Sequence, residues 1–162
     1  LNIASVAAAK RSFKQMQAAI HSYDPKAEFS GVLVQNQLNV SHKDKEVIIG
    51  LKRDASFGPV IMFGLGGSMV EMLKDVAFGI APLSLAEATA MMQQIHTAPL
   101  LAKCDLEVVA KTIVAVSQIA FDYPDIAELD INPMLVRRAG YGGYIIDVRI
   151  LPTSRPGAPS LH

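Results

Sequence analysis

The sequence predicts an α+β fold, a mainly antiparallel sheet packed with helices, and three observations carry that expectation. Two pairs of short alternating segments, EVIIGLK with VIMFGL and ELDINPMLV with YIIDVRI, are each joined by a glycine-bearing connection, as in β-hairpins. Between and before them, apolar residues recur at helical spacing instead. Turn residues separate the two patterns, so strands and helices alternate along one short chain.

The first element is a helix from about Ser5 to Tyr23, with Val6, Ala9, Phe13, Met16 and Ile20 forming an apolar stripe and the Ser22 to Lys26 stretch ending it. Strands follow near 31–38, 46–53 and 59–64. In the second of these Val47, Ile49 and Leu51 alternate, Asp54 to Pro59 form the connection, and Val60 to Phe63 return. Glu71 to Pro82 mixes Phe78, Gly79 and Pro82 and is left unassigned. A helix then starts at Ser84, where Ser-x-x-Glu with Glu87 makes a capping box, and runs to about His96. Asp105 caps another, with Leu106, Val109, Ile113, Val116 and Ile119 or Ala120 facing the core, and Pro124 stops it.

The last two strands complete the sheet. Alternation puts Glu128, Asp130 and Asn132 on one face and Leu129, Ile131 and Leu135 on the other. The return strand opposes Ile145, Asp147 and Arg149 to Tyr144, Ile146, Val148 and Ile150. With a fold-back at Arg137 to Gly143, the register that matches apolar faces sets Asn132 opposite Asp147 and Asp130 opposite Arg149. Directly opposed Cβ atoms lie roughly 4.5–5.5 Å apart. A carboxylate and an amide oxygen on adjacent strands suit Mg²⁺, which takes one or two protein ligands and completes its octahedron with water and phosphate. The other reading of the same spacing is a surface Asp130–Arg149 pair, worth about 0–1 kcal/mol, with Asn132 setting up a turn before Pro133.

Composition bounds the function. A chain of 162 residues buries roughly 68–70% of its unfolded surface and sustains one core or two small ones. Lys plus Arg equals Asp plus Glu, 15 each, so no nucleic-acid or anionic-membrane surface is expected. Apolar runs fall short of the ~18 residues of a membrane span, and no signal peptide is visible. A single cysteine, Cys104, fits a reducing cytoplasm and reads as packing. The histidines at 21, 42, 96 and 162 lack metal-ligand spacing, and no Ser/His/Asp or Cys/His nucleophilic set emerges. PTSRPGAPSLH, residues 152–162, reads as a linker or tail.

ELDINP followed by a strand, a glycine turn and an aspartate resembles the metal-binding end of ATP-grasp domains in the nucleoside-diphosphate-forming acyl-CoA synthetases, a group that includes the succinyl-CoA synthetase β-subunit. EVIIGLKRDASFGPVIMFGLGG, Glu46 to Gly67, closely resembles the corresponding run of the ADP-forming acetyl-CoA synthetases. Its Gly64, Gly66 and Gly67 read either as an anion-binding turn with uncovered N–H groups or as a tight turn.

The resemblance implies ATP and Mg²⁺ as cofactors, with Asn132 and Asp147 as metal ligands. It implies that GVLVQNQL is an interdomain hinge whose Gln35, Asn36, Gln37 and Leu38 meet the purine, and that Glu46 holds the ribose hydroxyls. NVSHKDK is longer than the family's connection there. Asp130 falls where the family has an acid near a phosphate-carrying histidine.

By the same resemblance, residues 1–151 form the C-terminal subdomain of an ATP-grasp domain whose first subdomain is missing. The implied activity is an ADP-forming acid–CoA ligase working through a phosphohistidine, with the CoA-binding and phosphohistidine-bearing domains as partners. The alternative is a regulatory nucleotide-binding module of a bacterial protein lysine acetyltransferase.

Overall fold

The computed structural model describes residues 3–67 and 75–153. Residues 71–74 of the unassigned stretch and 154–162 of the tail lie outside the described residues. The chain divides into two units, residues 1–40 and 41–162.

In the first unit, helix α1 (Val6–Tyr23) starts where the Ser5 hydroxyl accepts from the Ala8 amide at 3.2 Å, satisfying one of the unpaired donors of the first turn. It stops where Asp24 returns its amide to the Ile20 carbonyl at 2.8 Å. No residue of α1 is buried. Phe13 of the stripe meets Phe29 edge-to-face, ring centroids 5.2 Å apart. The strand expected near 31–38 is absent: residues 27–40 carry no helix or strand, and Leu33 and Val34 are 87% and 85% exposed. Alternation identifies two faces, but a strand also needs a ladder partner for its N–H and C=O groups.

The second unit is a six-stranded sheet with helices on one face. Its elements are β1 (Lys45–Asp54), β2 (Gly58–Leu65), β3 (Val76–Ile80), α2 (Leu85–Met92), a 3₁₀ turn at Ala98–Leu101, α3 (Leu106–Asp122), β4 (Ile126–Val136), β5 (Gly143–Ile145) and β6 (Val148–Pro152). The strand order is β3-β2-β1-β4-β5, with β6 also on β4, and every pairing is antiparallel. Val47, Ile49, Leu51, Ile61 and Phe63 are at most 2% exposed and join Ala88, Met91, Val109, Ile113 and Val116 in one core. Both helices of this unit pack on the core face of the sheet.

Polar groups fix the joints. At the β1–β2 turn, Asp54 Oδ1 accepts from the Ser56 and Phe57 amides at 2.8 and 3.0 Å. The Ser84–Glu87 capping box is present, but α2 ends at Met92 rather than near His96. Asp75 draws the His96 and Thr97 amides to its carboxylate at 2.9 and 2.7 Å, and Pro99 stands in the next turn. Asp105 caps α3 and also accepts from Gly140 and Gly142, both at 2.9 Å, pinning the β4–β5 turn. Those two glycines carry φ of +81° and +69°, which side chains rarely adopt. Cys104 is buried.

One expectation on β4 fails instructively. Met134 pairs with Val47 and Ile131 with Ile49, so Asn132 and Pro133 together oppose Ile48 alone, a β-bulge in the strand interior. An extra residue reverses the inward parity: Leu129 and Ile131 point to the core before the bulge, Met134 and Val136 after it. Leu135, expected beside Leu129 and Ile131, pairs with Glu46 and is buried outside that core. The register to the return strand is the expected one, with Met134 opposite Ile145 and Leu135 opposite Tyr144, so the change of side at the bulge carries Ile145, not Tyr144, to the face of Met134. The expected apolar face of Tyr144, Ile146, Val148 and Ile150 is uncovered, at 44–51% exposed, since these residues lie at the sheet edge.

Candidate functional site

Directly paired residues of antiparallel strands share a face, so the register defines what the open side of the sheet presents. β1 contributes Glu46, Ile48, Gly50 and Lys52 between its core residues. β4 contributes Glu128, opposite Lys52, and Asp130, opposite Gly50. Across β4 from Asp130 stands Arg149 of β6. Asn132 and Asp147 face one another at the bulge, where the Asn132 amide donates to the Asp147 carbonyl at 3.2 Å and the Ile146 amide to that of Pro133 at 3.0 Å. Asn132, Asp147 and Arg149 are exposed and Asp130 is half-buried.

Four of the residues singled out from sequence therefore meet in one sheet. Asp130, Asn132 and Asp147 cluster at the bulge, and Glu46 lies further along the same β1–β4 ladder, paired with Leu135. Gln35, Asn36, Gln37 and Leu38 belong to the other unit. The first three are exposed and line a depression with Phe13 and Phe29, whereas Leu38 is half-buried.

Two glycines of the run have covered amides. Gly64 is a β2 residue paired with Ile48, and the Gly66 amide donates to the Glu46 carbonyl at 2.7 Å, so neither offers the uncovered N–H of an anion cradle. A Cβ on Gly66 would come within 3.1–3.3 Å of Glu46 atoms, which is why a glycine stands there.

Sequence reasoning passed over Gly50. It is buried and sits directly between Asp130 and Met62, and the Met62 side chain fills the space beside it, its Cε 3.3 Å from where a Cβ would stand. A glycine inside an otherwise β-branched strand is the signal that would have found it, since such a position marks close approach of another group.

Elsewhere, carboxylates with lowered pKa serve structure. Asp75 is held below the usual range first by the Thr97 hydroxyl, and Asp105 first by the Gly142 amide. Burial pushes the Cys104 thiol up, away from the reactive thiolate.

The donor set at the bulge suits a hard cation. One carboxylate and one amide oxygen stand on adjacent chains, and among the described residues neither side chain takes part in an ion pair or hydrogen bond. Among the described residues there is also no group of three or more His, Cys, Asp or Glu able to hold a metal alone. An ion here would draw its remaining ligands from water and phosphate, as Mg²⁺ does. Among the described residues no helix is long and apolar enough to cross a membrane.

Comparison with known proteins places this geometry. An ATP-grasp domain family matches residues 1–151. The β-subunit of ADP-forming acetate–CoA ligase II from Pyrococcus furiosus is 39% identical over 158 residues, covering 93% of this chain and 66% of the subunit. ADP-forming acetate–CoA ligase I from Archaeoglobus fulgidus is 36% identical over 148 residues, covering 88% of this chain and 21% of the ligase. The chain thus spans about a fifth of one relative and just under two thirds of the other. Among solved structures, the acetyl-coenzyme A synthetase 1 of Ca. Korarchaeum cryptofilum, in complex with coenzyme A, acetyl-coenzyme A and a phosphorylated phosphohistidine segment, superposes with a TM-score of 0.84. It is 32% identical over 94% of this chain and 69% of that one. Another structure of the same synthetase contains Mg-AMPPCP. A protein from Pyrococcus horikoshii Ot3 gives a TM-score of 0.83 at 37% identity, over 96% of this chain and 67% of that one.

Proposed function

The chain belongs to the ATP-grasp domain family, and from that premise we propose that it is the C-terminal, ATP-binding part of an ADP-forming acid–CoA ligase acting in the cytoplasm. Acyl-CoA, ADP and phosphate exchange with carboxylate, CoA and ATP, and phosphate passes through a histidine of a partner domain or subunit. One observation carries the reading: at the Asn132–Pro133 bulge the backbones of Asn132 and Asp147 are hydrogen-bonded at 3.2 Å, next to the Asp130–Arg149 pair. The named relatives being ligases supports the catalytic reading over a regulatory one.

The residues divide the work by position. Gln35 to Leu38 meet the purine, largely through main-chain groups, and Glu46 accepts hydrogen bonds from the ribose hydroxyls, as an ionised carboxylate does well. Asn132 and Asp147 hold Mg²⁺, which when bound offsets negative charge on the nucleotide phosphates. Asp130 orients the imidazole that receives the phosphoryl group. Phosphoryl transfer asks mainly for such positioning and charge neutralisation, because the protein forms no further covalent bond of its own.

The test joins the chain to the CoA-binding and phosphohistidine-bearing domains and supplies γ-labelled ATP. Label on the protein that is acid-labile and alkali-stable, discharged by ADP, is expected; a protein that binds ATP yet never carries such label would refute the ligase reading. The 162-residue chain alone, which spans just under two thirds of the Pyrococcus furiosus β-subunit, should bind Mg·ATP weakly and make no acyl-CoA.

A further inference from the structure

The bulge neighbourhood is acidic, with Asp130 and Asp147 there and Glu46 and Glu128 along the same β1–β4 ladder. Two cations share that face. Lys52 is engaged, its Nζ 3.1 Å from Glu128. Arg149 is the pairing partner of Asp130 and is exposed, yet among the described residues its side chain makes no ion pair within 4.0 Å and no hydrogen bond. Opposed charges at cross-strand distance ordinarily engage one another. An uncommitted guanidinium two residues from Asp147, across from Asp130, is instead available to a ligand.

We propose that Arg149 binds the phosphoryl group in flight between ATP and the histidine. The inference rests on the ligase reading above and adds a residue to it. A guanidinium is charged at every working pH and presents paired donors that match two phosphate oxygens at once. In the transfer, the imidazole nitrogen lone pair forms the new P–N bond while the P–O bond to the β-phosphate breaks, and ADP leaves with that electron pair. Charge spread over the equatorial oxygens is what Arg149 stabilises.

Arg149→Gln and Arg149→Lys in the assembled ligase test this by three readouts: single-turnover phosphohistidine formation, affinity for AMPPCP against ADP, and thermal unfolding. Arg149→Gln should slow phosphorylation about 100-fold or more and weaken AMPPCP about tenfold more than ADP, with unfolding unchanged. Arg149→Lys should recover part of both losses, and it carries the comparison if the Gln variant does not fold. Phosphorylation within about threefold of wild type would overturn the proposal, as would equal loss of AMPPCP and ADP, which is what a structural role predicts. A wild-type ligase that forms no phosphohistidine overturns the underlying reading and this inference together; a phosphorylating wild type beside an unaffected Arg149→Gln overturns this inference alone.

Discussion

Replacing Arg53 by Met should destabilise the second unit far more than any other single surface charge, and the reason lies in where its guanidinium goes. From β1 it donates to the carbonyls of Ala120 at 2.5 Å, Tyr123 at 3.0 Å and Ile126 at 2.7 Å. Ala120 is a last-turn acceptor of α3, left without an amide partner from that helix, Tyr123 is the C-cap residue, whose carbonyl also accepts from the Ile126 amide at 3.1 Å, and Ile126 opens β4. One side chain therefore ties the end of a helix to the start of the strand that carries Asp130 and Asn132. Methionine keeps the stem and removes every donor. Charge-assisted hydrogen bonds contribute about 1.5–3 kcal/mol each. The Tyr123 bond is exposed and water replaces it, leaving two part-buried bonds and an expected loss of about 3–6 kcal/mol. Lys52→Met is the control, because the Lys52–Glu128 pair has side chains 75% and 40% exposed and should contribute no more than about 1 kcal/mol. Urea unfolding of both variants, at unchanged m-value, gives the comparison. Equal costs below about 1 kcal/mol would refute the capping argument.

Ile131→Ala, at a site 3% exposed, should cost about 2–5 kcal/mol as a core truncation. Ile146→Ala, which sequence alone places in the core, should cost under about 1 kcal/mol because 46% of that residue is already exposed; chemical denaturation of the pair distinguishes the observed parity from the expected one. Glu46→Ala in the assembled ligase should weaken ATP by about 1.5–3 kcal/mol and abolish the preference for ATP over its 2′-deoxy analogue, whereas unchanged discrimination in a competition titration would remove Glu46 from the ribose. Stability should be flat around neutrality and decline in acid. Asp54, Asp75, Glu87 and Asp105 all have lowered folded-state pKa values, so their contribution is complete above the ordinary carboxylate pKa and is lost as pH falls through the folded values. Asp75→Asn and Asp105→Asn should each flatten that acid limb in thermal scans.

What was legible in the sequence is what short-range pattern determines. Val47, Ile49 and Leu51 alternate because one face of β1 is buried, and Ser84 and Asp105 announce their helices because capping is settled within a few residues. The pairing of Asp130 with Arg149 was readable from matching the apolar faces of the two strands across the Arg137 to Gly143 fold-back. The rest depended on partners remote in sequence. α2 stops early on account of Asp75, 21 residues from His96. The bulge exists only relative to Ile48 across the ladder, so nothing within ELDINPMLV reveals that Leu135 changes sides. At residues 31–38 alternation gave an apolar face and no ladder to place it in. The Gly64–Gly67 turn was ambiguous until the Gly66 amide was seen to be taken by Glu46.

The central claim is that the Asn132–Asp147 juncture holds the magnesium that serves phosphoryl transfer, and Asp147→Asn addresses it most directly because it keeps the shape and removes the charge. In the assembled ligase, phosphohistidine formation is followed across a Mg²⁺ titration alongside thermal unfolding. Asp147 is exposed and its side chain takes part in no ion pair among the described residues, so the melting temperature should stay near wild type while the Mg²⁺ midpoint rises by about tenfold or more, equivalent to about 1.4 kcal/mol of lost binding. A variant that melts early while its Mg²⁺ dependence stays that of wild type would make Asp147 structural and contradict the account.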